Sequence, residues 1–111
     1  MRDDRARLLD ILDAIAAIRR HTKEGRASFE ADELVQVWVL HHLRIIGEAA
    51  RGLSPETVAT SGAPWRAIVG MRTILVHRYF AIDRTLVWNV VEEELGPLES
   101  EVLRLLARLG S

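Results

Sequence analysis

The sequence predicts an all-α protein, an up-and-down bundle of four to five helices, and three observations predict it. Apolar residues recur at intervals of three and four along nearly the whole chain. No stretch shows the two-residue alternation of a half-buried strand, and no hairpin turn is present. Glycine, proline and small polar residues fall between the periodic blocks, where helices start and stop.

The elements follow in order. Leu8, Ile11, Leu12, Ile15 and Ile18 form one stripe, with Asp10, Asp13 and Arg19 off it, so a first helix is expected, with Gly25 ending it. Ser28 is the expected N-cap of a second helix over about 29–51. Its apolar residues (Leu34, Val35, Val37, Trp38, Leu40, Leu43, Ile45, Ile46) cover more than one face. Such a helix is central in a bundle or meets a partner as well as its own core. Gly52 closes it, and Ser54-Pro55-Glu56-Thr57 opens a short helix with cap and N1 proline in order. After a loop through Ser61, Gly62, Ala63 and Pro64, residues 65–77 read as a further helix. Asp83 is the expected cap of a last block carrying Leu86, Val87, Val90, Val91 and Leu95. Gly96-Pro97 should break or kink it before Leu98, Val102, Leu105, Leu106 and Leu109 resume the stripe.

The 111 residues suit one domain over 1–111, with 49% hydrophobic and 28% charged residues and a net charge of −1. Zero cysteines exclude a disulfide framework, a zinc–thiolate site and a thiol nucleophile. No apolar run approaches the ~20 residues that span a bilayer, and the mixed charge of residues 1–5 is unlike a secretory leader, so a cytoplasmic protein away from membranes is expected. Charge is uneven. Residues 41–85 carry Arg44, Arg51, Arg66, Arg72, Arg78 and Arg84 against Glu48, Glu56 and Asp83. Arginine suits bidentate phosphate contacts, so any nucleic-acid contact would be a focused site rather than a coated surface.

The most unusual segment is Arg72-Thr73-Ile74-Leu75-Val76-His77-Arg78-Tyr79-Phe80, which holds the only tyrosine. On a straight helix five positions advance ~500°, so Arg72 and His77 converge only if the helix ends or bends, or if a second chain contributes. Thr73 and His77, four apart, share a face. One reading makes His77 and Tyr79 half-buried bundle residues and Arg72 a surface charge. The other is a phosphate site in which Arg72 and Arg78 hold anionic oxygens and His77 moves protons. RNA cleavage by its own 2′-hydroxyl needs a base, an acid and cations, but no metal. One such histidine per chain is short of two proton-transfer groups, so this chemistry favours a two-fold dimer.

Arg72, His77 and Tyr79 together resemble the R-x-x-x-x-H-x-Y signature of the HepT family, HEPN-domain toxins paired with a minimal nucleotidyltransferase antitoxin, MntA. Leu43 through Ala50 resembles the family's I-I-G-E-A segment. Pro64-Trp65 through Arg72 is similar to its W-x-x-I-x-G-M-R stretch, and Asp83 through Val91 to its D-x-x-x-V-W-x-x-V stretch. The resemblance implies a four-helix HEPN bundle with an extra short helix, a homodimer, and a metal-independent endoribonuclease with Arg72 and His77 catalytic at the dimer cleft. It also implies that Tyr79 accepts AMP from the antitoxin, which silences the toxin. ATP and Mg²⁺ would then be the partner's requirements, and no cofactor is expected of this chain.

Two positions depart from the family pattern. Thr73 stands where a more strongly polar residue, often Asn, is usual, and Arg78 where Gly is frequent. Both are auxiliary candidates: Thr73 can orient the imidazole, and Arg78 adds a cation or crowds Tyr79. Glu48 is a structural residue or a partner that pairs with Arg72 or another Arg and orients it. His41 and His42 lie ~100° apart on a helix and do not converge on one metal. Trp38, Trp65 and Trp88 are expected as core or dimer aromatics, Glu92-Glu93-Glu94 as a solvated face, and Gly47, Gly52 and Gly70 as packing or capping positions. The rival functions are a non-catalytic HEPN module binding nucleotide or its partner, and a plain helical dimerisation protein.

Overall fold

A computed structural model describes residues 3–63, 65, 68 and 84–110. The described elements are all helical: α1 (Asp4–Arg20), α2 (Arg26–Ala31), α3 (Glu33–Arg51), α4 (Pro55–Ala59), α5 (Arg84–Asn89), a widened π turn (Val90–Glu94) and α6 (Leu95–Leu109). No strand occurs among the described residues, and none of their helices is long and apolar enough to cross a membrane.

Helix α1 starts where Asp3 accepts the Ala6 N–H at 2.9 Å, and of the anticipated stripe it buries Leu8, Ile11, Ile15 and Ile18, with Leu12 half-buried beside them. It packs on both α3 and α6. The start of α1 meets the end of α3, since the Arg7 guanidinium lies against Gly52 and Asp4 binds Ser54. The end of α1 meets the start of α3, where Trp38 Nε1–H donates to the Ala17 carbonyl at 2.8 Å. Helix α6 runs antiparallel to α1 as well, with Arg19 paired to Glu99 at 2.8 Å near its start and Arg5 close to Gly110 at its end. Helix α1 is therefore the middle one of the described long helices, and α3 flanks it.

Four boundaries differ from the sequence reading. The stretch expected as one helix over 29–51 is two, because the Asp32 carboxylate accepts the Leu34 and Val35 N–H groups and restarts the chain as α3. Ser28 is not a cap but an exposed residue inside α2. Gly25 does not end α1, which stops at Arg20; it takes φ +90° to open α2, a conformation open to glycine without strain. The α2–α3 joint is closed by buried Gln36, whose amide donates to the Phe29 and Glu30 carbonyls at 2.9 and 3.1 Å.

The fourth is at Gly96-Pro97, where a break or kink is expected and the pair lies within the first turn of α6 without a break. Asn89 and Leu95, on either side of the π turn, both keep helical dihedrals. A proline inside a helix clashes with the carbonyl four residues back, here Glu93, and leaves it without a donor. The π turn, with its wider hydrogen-bonding step, absorbs that mismatch without a stop.

Candidate functional site

Of the candidate site residues, Arg72, Thr73, His77, Arg78 and Tyr79 lie outside the described residues, as do Gly70 and Asp83. The described chain shows how the stretch that carries them is anchored on either side. Ahead of it, the short helix α4 begins at Ser54, as anticipated, with Ser54 capping Thr57 and Pro55 at N1. Asp4 ties this cap to α1: its carboxylate accepts the Ser54 N–H at 2.9 Å and the hydroxyls of Ser54 and Thr57. Burial raises the Asp4 pKa, but these hydrogen bonds, with the Arg7 charge, outweigh it and leave the group below its ordinary value.

The following loop is clamped to α6. Glu101 accepts the Gly62 N–H and the Ser61 hydroxyl, both at 3.0 Å, while Arg104 binds Glu101 at 2.6 Å and the Thr60 carbonyl at 2.9 Å. The Arg104 hydrogen bond first, and then the Gly62 N–H, lower the Glu101 pKa to about 2. Beyond the clamp, Trp65 is buried in the core with no hydrogen-bond partner for its indole N–H, and Ile68 is packed partly against the core. On the far side, α5 is held against α2, where Arg26 donates to the Thr85 hydroxyl at 3.3 Å. Phe29 and Trp88 pack there with ring centroids 5.4 Å apart. Trp88 Nε1–H donates to Glu92 at 2.8 Å, so Glu92 is not only a solvated charge.

Glu48 is described. It is exposed near the end of α3, on the side away from the core, while Leu43, Ile46, Gly47, Ala49 and Ala50 of the same block are buried. The Trp38, His41 and His42 rings of α3 form a row with His21 at the end of α1, an arrangement that their spacing did not announce. His21 meets Trp38 at 4.7 Å, Trp38 meets His42 at 4.4 Å, and His42 meets His41 at 5.0 Å. His42 Nδ1 lies 2.8 Å from the Trp38 carbonyl, which only accepts, so that nitrogen carries the proton. The His41 and His42 rings stand perpendicular, and among the described residues no group of three His, Asp or Glu side chains is arranged to hold a metal. The Glu101–Arg104 clamp was likewise not anticipated, although its three-residue spacing is visible in the chain.

A family model described as Ribonuclease HepT-like matches residues 11–105. Among curated relatives, the chain is 35% identical over 103 residues to "Putative RNase MJ1380" of Methanocaldococcus jannaschii, covering 91% of this chain and 94% of that protein. It is 34% identical over 106 residues to "Probable ribonuclease HepT" of Thermococcus cleftensis, covering 88% and 91%. Against "Gamma-glutamylcyclotransferase and putative RNase MJ0434" of M. jannaschii it is 32% identical over 110 residues, and there it spans 97% of itself but 50% of the relative. No solved structure matches. A match over residues 11–105 takes in the later part of α1, all of α3 and most of α6 together with the Arg72–Tyr79 motif, and on that ground this chain belongs to the HepT-like ribonuclease family.

Proposed function

We propose that this chain is the toxin of a toxin–antitoxin pair, a cytoplasmic, metal-independent endoribonuclease acting as a homodimer. In this reading residues 1–111 form one HEPN domain, a four-helix bundle with an extra short helix. Arg72 and His77 of two chains share one cleft. The observation that carries the reading is the family match across residues 11–105, which contains the Arg-x4-His-x-Tyr spacing whole.

The chemistry follows from the residue types. A proton-transfer group takes the proton of the RNA 2′-hydroxyl, the freed oxygen attacks phosphorus, and the bond to the 5′ oxygen breaks as that oxygen gains a proton. His77 of one chain and His77 of the partner subunit supply the base and the acid, since the ordinary imidazole pKa lies near neutrality. Arg72 stabilises the charge on the phosphorus oxygens. Thr73 orients the imidazole, Arg78 adds a cation, and Glu48, exposed on α3, orients Arg72. Tyr79 is the acceptor of AMP from a nucleotidyltransferase antitoxin. An added nucleotide two residues from His77 fills the cleft and repels RNA phosphates.

The test is cleavage of RNA by purified, unmodified protein in excess chelator, beside His77→Ala. Cleavage that survives chelation and vanishes in the variant is the expected result. No cleavage by protein whose intact mass shows an unmodified Tyr79 overturns the enzyme reading in favour of a binding module.

A further inference from the structure

Helix α3 carries a second apolar face. Its inward side, centred on Val39, Leu43, Ile46 and Ala50, is buried in the core. At 100° per residue, Leu34, Val37, Trp38, His41, Ile45 and Glu48 fall on the opposite side within an arc of ~100°. The steps 34, 38, 41, 45, 48 alternate four and three, the repeat of a seam between two helices. Leu34 is 81% exposed and Val37 40%, while Trp38 and Ile45 are half-buried. Trp38 and Ile45 give part of their surface to the fold, Trp38 through its hydrogen bond to Ala17 and Ile45 by packing on the core, while Leu34 and Val37 stay exposed. Single exposed apolar side chains are ordinary, but a row of them along one helix is a contact surface.

Charge identifies the occupant. Glu33 in the first turn of α3 and Arg44 and Arg51 towards its end are exposed and lie on the same flank of the seam. Two copies of α3 laid antiparallel bring Glu33 of one beside Arg51 of the partner subunit, twice. About an axis at His41 they also set Val37 level with Ile45. Antiparallel helices place like flanks together, whereas a parallel two-fold pair would hold the two Glu33–Arg44–Arg51 flanks on opposite sides of the seam, with no charge partner across it.

We propose that the outer face of α3 is where two copies of this chain pair, antiparallel, about a two-fold axis at His41. The inference rests on the homodimer proposed above and adds which surface makes it. The self-complementary flank is the property an isologous contact requires.

The test is the sedimentation mass of the full chain and of Leu34→Glu and Val37→Glu, with helical circular dichroism as a check on folding. The chain has no cysteine, so thiols can also be introduced singly: His41→Cys at the axis, and Leu103→Cys on the exposed side of α6 as control. The expected result is a wild-type dimer whose dissociation constant rises at least about 30-fold in Leu34→Glu. His41→Cys should then be joined to its copy by a short bismaleimide, and Leu103→Cys should not. A dimer that persists in both Glu variants, with His41→Cys uncrosslinked, overturns the proposal and leaves the homodimer standing on another face. A monomeric wild type overturns both. If the Glu variants fail to fold, crosslinking through His41→Cys decides alone.

Discussion

Asp32 and Trp38 show how much single side chains settle in this molecule. Asp32 divides what reads as one helix, because its carboxylate satisfies two N–H groups at the start of α3 that would otherwise have no partner. Asp32→Ala should cost about 1 kcal/mol, the usual worth of an N-cap, read as a lower urea midpoint with unchanged slope. Trp38→Phe keeps most of the ring but loses the hydrogen bond to Ala17, and should cost a further ~1 kcal/mol by the same assay. At Gly52 the cause is space, not dihedral freedom: a Cβ there would lie 2.0 Å from the Arg7 guanidinium. Gly52→Ala should therefore evict Arg7 from its seat, checked by loss of any further effect when Arg7→Ala is added.

The elements differ in how plainly they stand in the chain. The α1 stripe and the Ser54-Pro55 start of α4 were legible because each depends on neighbours within one or two turns. The split at Asp32 was not, because an aspartate inside an apolar-periodic stretch declares itself a cap only when the turn before it folds back, as Gln36 makes it do. The continuation through Pro97 was hidden for a similar reason, since a π turn leaves no mark on composition. The candidate site was legible only as a motif: Arg72, His77 and Tyr79 are identified by spacing and resemblance, whereas the clamp ahead of them depends on Glu101, about 40 residues later in the chain. That clamp has a pH signature. With the Glu101 pKa at about 2 in the fold against 4.5 ordinarily, its contribution is complete above pH 4.5 and is lost as pH falls towards 2. Glu101→Gln should flatten stability across that window and leave neutral cleavage chemistry to His77, as a pH series of urea melts would show.

At the scale of the whole molecule, function in the proposed reading belongs to two chains, and so do its strongest predictions. His77→Ala should abolish growth arrest on expression while leaving fold and sedimentation mass unchanged. Tyr79→Phe should remain toxic even beside an active nucleotidyltransferase, because the hydroxyl it removes is the proposed AMP acceptor; growth protected as fully as for the parent would remove Tyr79 from that role. The central placing of α1 also bears on how the chain gets there. Its contact with α3 closes across 21 residues at Ala17–Trp38, whereas its contact with α6 closes across 80 at Arg19–Glu99. Loop entropy makes the second closure about 1.2 kcal/mol dearer than the first. The α1–α3 hairpin is therefore the earlier partner in assembly and α6 the later one. Substitutions at Trp38 should slow refolding, and those at Glu99 should mainly quicken unfolding, so the two seams separate on the arms of a chevron. A nascent chain would hold its α1–α3 pair before α6 has left the ribosome, and the pairing face of α3 would be on display from that moment.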